Sequence, residues 1–465
     1  MAHKKMIIIS SYFKDESYGL LGPQLAATVI RESAGYDCIV VAVTRDDDTS
    51  IIKQGIRDYF GKERPIVAFS TLSGRQDLFS LAGELKSDGV FTILAGPQAD
   101  VDFKGEIGWH DNPHRFAGLS GQFSLAMHGP VEQIIPFLKN IETKKDWESL
   151  PGILFVTESG DISRNPTTPW DEKYLRNVKW DNLFGVGRDG FIPHKITIGQ
   201  VLQQIGCPHA AKQREIEIDY PSNLTGKQDQ KIMLPVKGCS FCDVASDKGF
   251  YGSLDIKTVL DQISCLPHDR AGRKIPFELI NENPIPGLSR LLKRINELSI
   301  RLSQIHLIMR ADWFIKSEKK LRDALYIAKQ MDINILVSSM GFEAFDNNLL
   351  RNFNKGITLE QNLEAIRLMR QLKQDFPDNW SYSKTEGAIH GFIHPTPWDT
   401  REIFANTQKN IAIYGLENDI LPPNSTPLII HHASYLGDWI REVEKREGIK
   451  YKRFGSIIEW WDDPV

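Results

Sequence analysis

Short apolar runs alternate with helical patterns along the first 140 residues of the chain. A continuous apolar run is typical of a strand that is buried on both faces, and apolar residues repeated every three or four positions are typical of a helix. This alternation predicts an open parallel sheet with helices on both faces, a doubly wound α/β domain over residues 1–140. The strand-like runs are MIIIS, CIVVAVT, IVAFST and FTILAGP, and the helical stretches are LLGPQLAATVIRES, SIIKQGIRDYF and LFSLAGELKSDG.

The periodic pattern fades between residues 141 and 195. The stretch PGILFVTESGDISRNP predicts a hairpin that turns at residues 159–161. The charged stretch after it contains Trp170 and Trp180. We expect residues 141–195 to connect two domains and to be packed by these tryptophans.

A second α/β series begins near residue 196. Six strand-like runs are too few for a closed eight-stranded barrel, so the series predicts a partial (β/α)6 barrel over residues 196–420 and a C-terminal tail over 421–465. The runs are ITIGQVLQQ, PFELI, IHLIMR, INILVS, GAIHGFI and TPLII, and the predicted helices cover 254–265, 286–299, 316–330, 346–353, 358–374 and 398–413.

Composition and charge narrow the choice of partners. The net charge is −4 and the isoelectric point about 6.3, so no overall basic surface indicates a nucleic-acid partner. The N-terminal apolar run is too short for a signal peptide or a membrane span, and we expect no membrane association. Five cysteines in 465 residues favour a reducing, cytoplasmic location over a disulfide framework.

Small polar residues follow the strands of the first domain, at 10–11, 70–74 and 95–98. Ligands of open parallel sheets bind beyond the carboxyl ends of the strands. These residues therefore predict a shelf for a large, flat or phosphate-bearing ligand. No G-x-G-x-x-G motif follows a strand, which removes the usual support for a dinucleotide. Turn residues without any ligand are the alternative.

Three cysteines carry the candidate chemistry of the second series. Cys239 and Cys242 lie in the turn KGCSFCD, and Cys207 lies in IGCPHA at the end of the first strand. Three thiolates can hold a four-iron cluster and leave one iron open, whereas electron carriers of this type use four. A fourth thiolate would have to be Cys265 or Cys38, and both lie in apolar patterns typical of buried structural thiols. Half of a zinc site and a thiol redox pair are the alternatives for a lone CxxC.

Several motifs resemble the radical S-adenosylmethionine (SAM) superfamily, and in particular its cobalamin-binding branch. When residues 208–238 are set aside, GCPHA and CSFCD resemble the C-x3-C-x2-C loop of the superfamily. The resemblance runs in order from about residue 5 to 420. The other motifs similar to this branch are LIMRAD, GFEAFDNNLLRNFNKGITLEQNLEAIRLMR and GFIHPTPWDT in the barrel, and LLGPQLAATVI, AFSTLSG and LAGPQA in the first domain.

The resemblance implies three cofactors: a [4Fe-4S] cluster, SAM and cobalamin. Cys207, Cys239 and Cys242 match the cluster ligands, and Phe241 matches the aromatic residue beside the SAM adenine. The strand-end residues that match SAM contacts are Glu282, Arg310 and Glu343. The residues that match the cobalamin site are Ser70, Thr71, Leu72, Gly96, Pro97, Gln98 and Gly129.

The chain departs from the family pattern at four places. The cobalamin signature D-x-H-x-x-G is absent, because residues 15–19 contain no histidine that could ligate cobalt. Residues 128–132 replace G-E-G-E, and Ala344 replaces a serine. The insertion 208–238 is unusual, and we expect it to form a hairpin or a flap over the active face.

The implied function is methylation of an unactivated carbon by a 5′-deoxyadenosyl radical and methylcobalamin. The substrate is a small molecule or a peptide, and the electron donor is a protein such as flavodoxin or ferredoxin. The alternatives are a cobalamin-dependent radical cyclisation or rearrangement without methyl transfer, and a non-catalytic cobalamin or iron–sulfur sensor.

Overall fold

A computed structural model of the chain describes residues 4–70, 74–141, 144–227, 230–242 and 250–462. The chain forms two compact units, Met1–Gly199 with Arg453–Ile457, and Gln200–Lys452 with Ile458–Val465. No helix among the described residues is long and apolar enough to cross a membrane.

The first unit contains a nine-stranded sheet in the order β7-β6-β5-β4-β3-β1-β2-β8-β9. Neighbouring strands from β5 across to β8 are parallel, and the pairs β5/β6, β6/β7 and β8/β9 are antiparallel. The doubly wound parallel sheet is thus confirmed. The strands are β1 Lys4–Ser11, β2 Tyr36–Val43, β3 Ile66–Ser70, β4 Phe91–Ala95, β5 Leu125–Met127, β6 Ile153–Val156, β7 Ile162–Arg164, β8 Leu183–Gly187 and β9 Gly190–Pro193.

Helices of the first unit cover the central strands and share one apolar core with them. Ile7, Val41 and Phe69 of the sheet are buried together with Ile56 and Leu81 of the helices, as expected for strands covered on both faces. The helices are α1 Leu21–Val29, continued by a π-helical turn Ile30–Ala34, α2 Thr49–Phe60, α3 Gln76–Ser87, α4 Ala99–Lys104 and α5 Ile134–Lys139.

The segment 141–195, expected as a connector, contributes strands β6 to β9 to the sheet of the first unit. The hairpin predicted within it is confirmed, because Phe155 pairs with Ser163. Ile153 and Leu154 are fully buried, which explains why this segment packs with the sheet.

The insertion in the second unit folds as an antiparallel hairpin, as predicted. Its strands pair from Gln213 with Lys237 to Asp219 with Lys231. Two shorter strands around it pair with each other. These elements are β11 Gln204–Gly206, β12 Gln213–Asp219, α6 Ser222–Thr225, β13 Lys231–Lys237 and β14 Phe250–Ser253.

A six-stranded sheet forms the centre of the second unit, in the order β10-β15-β16-β17-β18 with β19 also paired to β17. Strands β15 to β19 form parallel pairs, as a partial barrel requires. The strands are β10 Gly199–Leu202, β15 Phe277–Ile280, β16 Gln304–Met309, β17 Asn334–Glu343, β18 Trp380–Ser381 and β19 Gly391–Phe392.

One predicted barrel strand is wrong. The run TPLII is not a member of this sheet. The sixth strand is instead the two-residue strand Trp380–Ser381, which the sequence pattern did not predict. Trp380 is fully buried and donates from Nε1 to the carbonyl of Met369 at 3.1 Å, so tertiary packing and not periodicity fixes this strand. The remaining strands are β20 Ile430–His431, β21 Lys452–Phe454 and β22 Ile457–Glu459.

The helices of the second unit follow the predicted pattern with shifted ends. The helix predicted at 316–330 is the helix Glu318–Gln330, and a short helix that the sequence pattern did not predict, Ala311–Lys316, precedes it. The helices are α7 Ile256–Cys265, α8 Ile285–Glu297, α9 Ala311–Lys316, α10 Glu318–Gln330, α11 Asn347–Asn352, α12 Leu359–Asp375, α13 Arg401–Tyr414, α14 Leu416–Asp419 and α15 Tyr435–Glu447.

Candidate functional site

Three charged residues stand at or just beyond the carboxyl ends of neighbouring strands in the second unit. Glu282 follows β15, Arg310 follows β16, and Glu343 is the last residue of β17. Because the three strands are parallel neighbours, their carboxyl ends lie along one edge of the sheet. Chemistry in barrels of this kind belongs to that edge.

Glu343 is paired with a residue that the sequence analysis did not select, Lys355. The Lys355 Nζ lies 2.9 Å from the Glu343 Oε1, and only 7% and 12% of the two side chains are exposed. Lys355 lies in the loop after α11, inside the stretch NKGIT, which is part of one of the motifs that resemble the cobalamin-binding branch. The lysine is thus present in a motif that the sequence singles out, but no hydrophobic periodicity in this loop predicts that it lies against a strand end.

Arg310 links this ion pair to the cysteine turn. Its Nε donates to the Oδ1 of Asp312 at 3.1 Å, and its Nη2 donates to the backbone carbonyl of Lys355. Its Nη1 lies 3.9 Å from the Sγ of Cys239. The guanidinium is buried, so these three contacts fix its orientation.

The CSFC turn is bonded to the segment that leads into Lys355. The carbonyl of Cys239 accepts the N–H of Cys242 at 3.2 Å, which closes the turn. Ser240 donates from its N–H to the carbonyl of Phe353 at 2.9 Å and from Oγ to the carbonyl of Asn352 at 2.7 Å. The side chain of Asn354 donates to the carbonyl of Gly238 at 2.6 Å. The turn is therefore held by backbone and side-chain bonds on both sides.

The hairpin returns the chain from Cys207 to Cys239. Paired residues of an antiparallel hairpin have Cα atoms about 5 Å apart, so its two ends start and finish at nearly the same place. The pair Gln213 and Lys237 closes the hairpin just beyond the two cysteines. On the Cys207 side, His209 Nε2 is 2.9 Å from the carbonyl of Asn354. A hairpin insertion of this kind therefore keeps Cys207 and Cys239 close to each other in space.

The far end of the hairpin is fixed to other parts of the second unit. The carbonyl of Asp219 accepts hydrogen bonds from Trp398 Nε1 at 2.8 Å and from Trp439 Nε1 at 3.2 Å. Tyr220 donates from its hydroxyl to Glu447 of α15 at 2.5 Å. The hairpin is thus a packed element with both ends anchored.

Burial and charge shape the electrostatics of the site. Burial raises the pKa of Cys207, and the negative charges of Glu282 and Cys239 raise it further. Burial also raises the pKa of Glu282, against the opposing charges of Lys355 and Arg310. For Lys355, burial disfavours the ammonium, but the charges of Glu343 and Cys239 outweigh it and the pKa is raised. The positive charges of Arg310 and Lys355 therefore lie close to the carboxylates of Glu282 and Glu343 and to the thiol of Cys239.

The three cysteine sulfurs do not lie at the spacing of a single zinc site. Cys207, Cys239 and Cys242 are not in disulfides, and each is partly exposed. A tetrahedral zinc with bonds of about 2.3 Å would hold its thiolates about 3.8 Å apart. Among the described residues, these three sulfurs do not form a group within 4.8 Å of one another. Cys38 is fully buried in β2 and Cys265 ends α7, so neither belongs to the loop.

Phe241, predicted beside an adenine, lies between the two cysteines of the turn. Its ring meets that of Phe353 edge to face, with centroids 5.5 Å apart. This contact ties the aromatic position to the same segment that carries Lys355.

Those residues of the predicted cobalamin site that the structure describes lie at or just after strand ends of the first unit. Ser70 and Ala95 pair at the ends of β3 and β4, and Gly96 follows with a φ of 101°. A Cβ on Gly96 would lie 3.0 Å from the Ser70 Oγ, so the two strand ends approach closely. Pro97 and Gln98 lead into α4. Thr71 and Leu72 lie outside the described residues.

Gly129 follows β5 and has a φ of 87°. A Cβ there would lie 2.6 Å from Thr167 and 2.7 Å from the Gln133 side chain. Protein atoms thus fill the space on that side of the glycine.

Comparisons with known proteins support the fold. No family model and no curated protein sequence matches the chain. The solved structure of OxsB, titled a cobalamin-dependent S-adenosylmethionine radical enzyme with aqua-cobalamin and S-adenosylmethionine bound, is similar with a TM-score of 0.62 and 12% identity. The match covers 97% of this chain and 64% of the OxsB chain.

A second similar structure is TsrM from Kitasatospora setae, titled a radical S-adenosylmethionine methyltransferase with cobalamin and a [4Fe-4S] cluster bound. The TM-score is 0.58 at 14% identity, over 95% of this chain and 75% of that one. At identities this low the likeness shows a shared architecture. The fold class derived from the sequence is therefore confirmed.

Proposed function

We propose that this protein is a cobalamin-dependent radical SAM enzyme that methylates an unactivated carbon. The observation that carries the proposal is the meeting of the CSFC turn with the strand-end residues. Arg310 contacts both Cys239 and the loop of Lys355, and Lys355 pairs with Glu343. The likeness to OxsB and TsrM supports the same reading at the level of fold.

The residues of the second unit would hold a [4Fe-4S] cluster and SAM. Cys207, Cys239 and Cys242 would bind the cluster, which supplies an electron for cleavage of SAM when bound. Arg310 and Lys355 offset the negative charge of the thiolates, and Arg310 holds the turn in place. Phe241, Glu282 and Glu343 would contact SAM. Abstraction of a hydrogen atom requires no general base, and we assign none.

The first unit would bind cobalamin at the carboxyl ends of β3, β4 and β5. The proposed contacts are Ser70, Thr71, Leu72, Gly96, Pro97, Gln98 and Gly129. Gly96→Ala should weaken retention of cobalamin, because the added methyl group would meet the Ser70 Oγ and the φ of 101° disfavours any side chain. Gly121→Ala is the matched control, since no atom lies within 4 Å of the added Cβ. Equal cobalamin absorbance in both variants after anaerobic loading would contradict this site.

An electron donor such as flavodoxin or ferredoxin would reduce the protein, and a small molecule or a peptide would accept the methyl group. We also propose a cytoplasmic location, because the five cysteines, all within the described residues, form no disulfide.

The cluster is tested by anaerobic reconstitution with iron and sulfide, followed by incubation with SAM and a strong reductant. Wild type should hold iron and form 5′-deoxyadenosine. Cys207→Ala, Cys239→Ala and Cys242→Ala should lose both properties, because each thiolate holds one iron. Cys265→Ala should lose neither. A Cys207→Ala variant with full iron content and SAM cleavage would refute the ligand set.

Methyl transfer is tested by the products found when candidate substrates are added. A methylase should form S-adenosylhomocysteine and 5′-deoxyadenosine in a roughly one-to-one ratio, since one SAM is cleaved and another donates the methyl group. Deoxyadenosine without S-adenosylhomocysteine for an accepted substrate would indicate cyclisation or rearrangement. Neither product from a fully loaded protein would indicate a sensor.

A further inference from the structure

A cavity of about 470 Å³ opens at the amino ends of the central strands in the first unit. Small-molecule sites in proteins have volumes of roughly 300–1,000 Å³, so the cavity is large enough for a ligand. It lies at the edge of the sheet opposite to the residues proposed for cobalamin, which follow the carboxyl ends of the strands. The lining residues are Lys4, Lys5, Tyr36, Glu63, Arg64, Ile66, Phe91 and Ile141.

The strand register places two aromatic residues of this cavity on one face of the sheet. Lys4 of β1 is the partner of Tyr36 in β2. Ile66 of β3 is the partner of Phe91 in β4. Strands β1 and β3 pair so that even-numbered residues of one lie beside even-numbered residues of the other. Because alternate residues of a strand point to the same face, Tyr36 and Phe91 line the same side of the sheet.

The floor of the cavity is apolar, and a cation stands beside each aromatic ring. Tyr36, Ile66 and Phe91 are more than nine-tenths buried. The Lys4 Nζ lies 6.0 Å from the centroid of the Tyr36 ring, and the guanidinium carbon of Arg64 lies 6.0 Å from that of Phe91. A distance of about 6 Å is the outer limit of a cation–π contact. An anion beside either ring would gain a stronger, charge-assisted contact with the same cation.

The charges that line the cavity do not cancel. Lys4, Lys5 and Arg64 are opposed by one carboxylate, that of Glu63, which leaves an excess of two positive charges. Lys5 is held at the edge of the cavity, because its Nζ donates to the carbonyl of Tyr59 at 2.5 Å. A phosphate monoester carries about −1.5 to −2 charges near pH 7 and matches this excess better than a carboxylate does.

The floor also restricts the part of the ligand that packs on it. Among its three residues, the only polar side-chain atom is the Tyr36 hydroxyl, which donates to the carbonyl of Leu138 at 3.1 Å. A sugar or a nucleobase would place hydrogen-bonding groups against carbon atoms, which is costly. A flat hydrocarbon ring meets no such cost, and it packs favourably against other aromatic rings.

We propose that this cavity binds a phosphate monoester with an apolar aromatic body. The phosphate lies between Lys4 and Arg64, and the ring packs on Tyr36 and Phe91. Strand β3 runs from Ile66 to Ser70, so the cavity is about 13 Å away from the strand end proposed for cobalamin. It is therefore a separate site, and the inference does not depend on the proposed function.

The test measures equilibrium binding of four probes to the purified full-length chain by titration calorimetry. Phenyl phosphate should bind at least tenfold more tightly than inorganic phosphate or benzyl alcohol, because each of these has only one of the two required groups. Hexyl phosphate has the same charge and carbon number as phenyl phosphate but a flexible chain, and it should bind more weakly than phenyl phosphate.

Arg64→Gln should weaken the binding of phenyl phosphate about tenfold, because it removes one of the two cations that contact the phosphate. Lys62→Gln is the matched control. It removes the same charge two positions away, from an exposed side chain that does not line the cavity, and it should leave the affinity unchanged. Ile141→Glu places a negative charge on the cavity wall and should weaken phenyl phosphate as well.

Equal weakening by Arg64→Gln and Lys62→Gln would overturn the site, since it would show attraction to a positive surface and no specific contact. Equal affinities for phenyl phosphate and inorganic phosphate would overturn it too, because the rings would then contribute nothing. Hexyl phosphate binding as tightly as phenyl phosphate would overturn the aromatic body of the ligand. Wild type without saturable binding of phenyl phosphate would refute the proposal as a whole.

Discussion

Arg310 Nη1 lies 3.9 Å from the Sγ of Cys239, while Nη2 of the same guanidinium donates to the carbonyl of Lys355. One buried side chain therefore connects the cysteine turn with the loop that carries the strand-end ion pair. Hydrogen bonds to cluster sulfurs and nearby charges are two means by which proteins tune the reduction potential of iron–sulfur clusters.

Arg310→Gln should lower the amount of iron that the reconstituted chain retains. The amide keeps some hydrogen-bonding capacity but loses the positive charge and the fork that reaches both partners. Iron and sulfide analysis after gel filtration measures the loss. Arg322→Gln is the control, because Arg322 pairs with Glu318 and Asp375 on the outer helices. Equal iron in both variants would contradict the role of Arg310.

The positions of the strand-end charges could be predicted from the order of the strands, whereas the three cysteines are selected only by the resemblance of their motifs to a known family. Arg310 directly follows an apolar run and Glu343 ends a strand that extends five residues beyond the run INILVS, and the edge they share follows from parallel pairing. Lys355 could not be found in this way. Its partner is twelve positions earlier, and the contact depends on how the loop after α11 folds back on β17.

The missed strand Trp380–Ser381 has a similar cause. Two residues are too few for any periodic signal, and the buried indole of Trp380 decides the placement. The segment 141–195 was expected to lie between domains, because its short strands carry little pattern of their own. Pairing with strands distant in the sequence places them in the sheet of the first unit.

Ile218→Ala should lower the free energy of unfolding by about 2–5 kcal/mol, because Ile218 is fully buried opposite Ile232 in the hairpin. Since Cys207 and Cys239 flank the hairpin, retained iron should fall as well. Denaturant titration and iron analysis measure the two effects. Glu217→Ala changes the exposed neighbour and should alter neither property. A destabilised Ile218→Ala variant with full iron content would separate the hairpin from the cluster site.

Arg453→Met should destabilise the first unit by about 3–5 kcal/mol, because it removes the positive charge that faces the buried carboxylate of Glu106. The Arg453 Nε lies 2.7 Å from the Glu106 Oε1, and 6% and 0% of the two side chains are exposed. Denaturant titration measures the change, and replacing Glu106 by Leu in the same chain should recover much of it. Lys14→Met breaks an exposed pair with Asp46 and should have no measurable effect. Equal stability of Arg453→Met and wild type would contradict this account.

His390 should make the second unit sensitive to acid. It is buried, its Nδ1 accepts the N–H of Met340 at 3.0 Å, and its Nε2 lies 2.7 Å from the carbonyl of Tyr382. This arrangement requires the neutral ring with its proton on Nε2. Burial lowers the pKa of His390 to about 4, although the bond to Tyr382 and the charge of Asp419 oppose it.

The sign follows from the lower pKa in the folded state. The unfolded chain, with an ordinary histidine pKa of about 6.5, binds the proton first, so stability should fall as the pH drops from about 6.5 to about 4. The loss amounts to about 3 kcal/mol for one such histidine. Burial also lowers the pKa of His306 to about 4, and that residue contributes in the same direction. In His390→Gln, denaturant titrations between pH 8 and pH 4.5 should give a shallower dependence than in wild type, because only the His306 contribution remains of the two. Parallel profiles for the variant and wild type would show that His390 is not held in its neutral form.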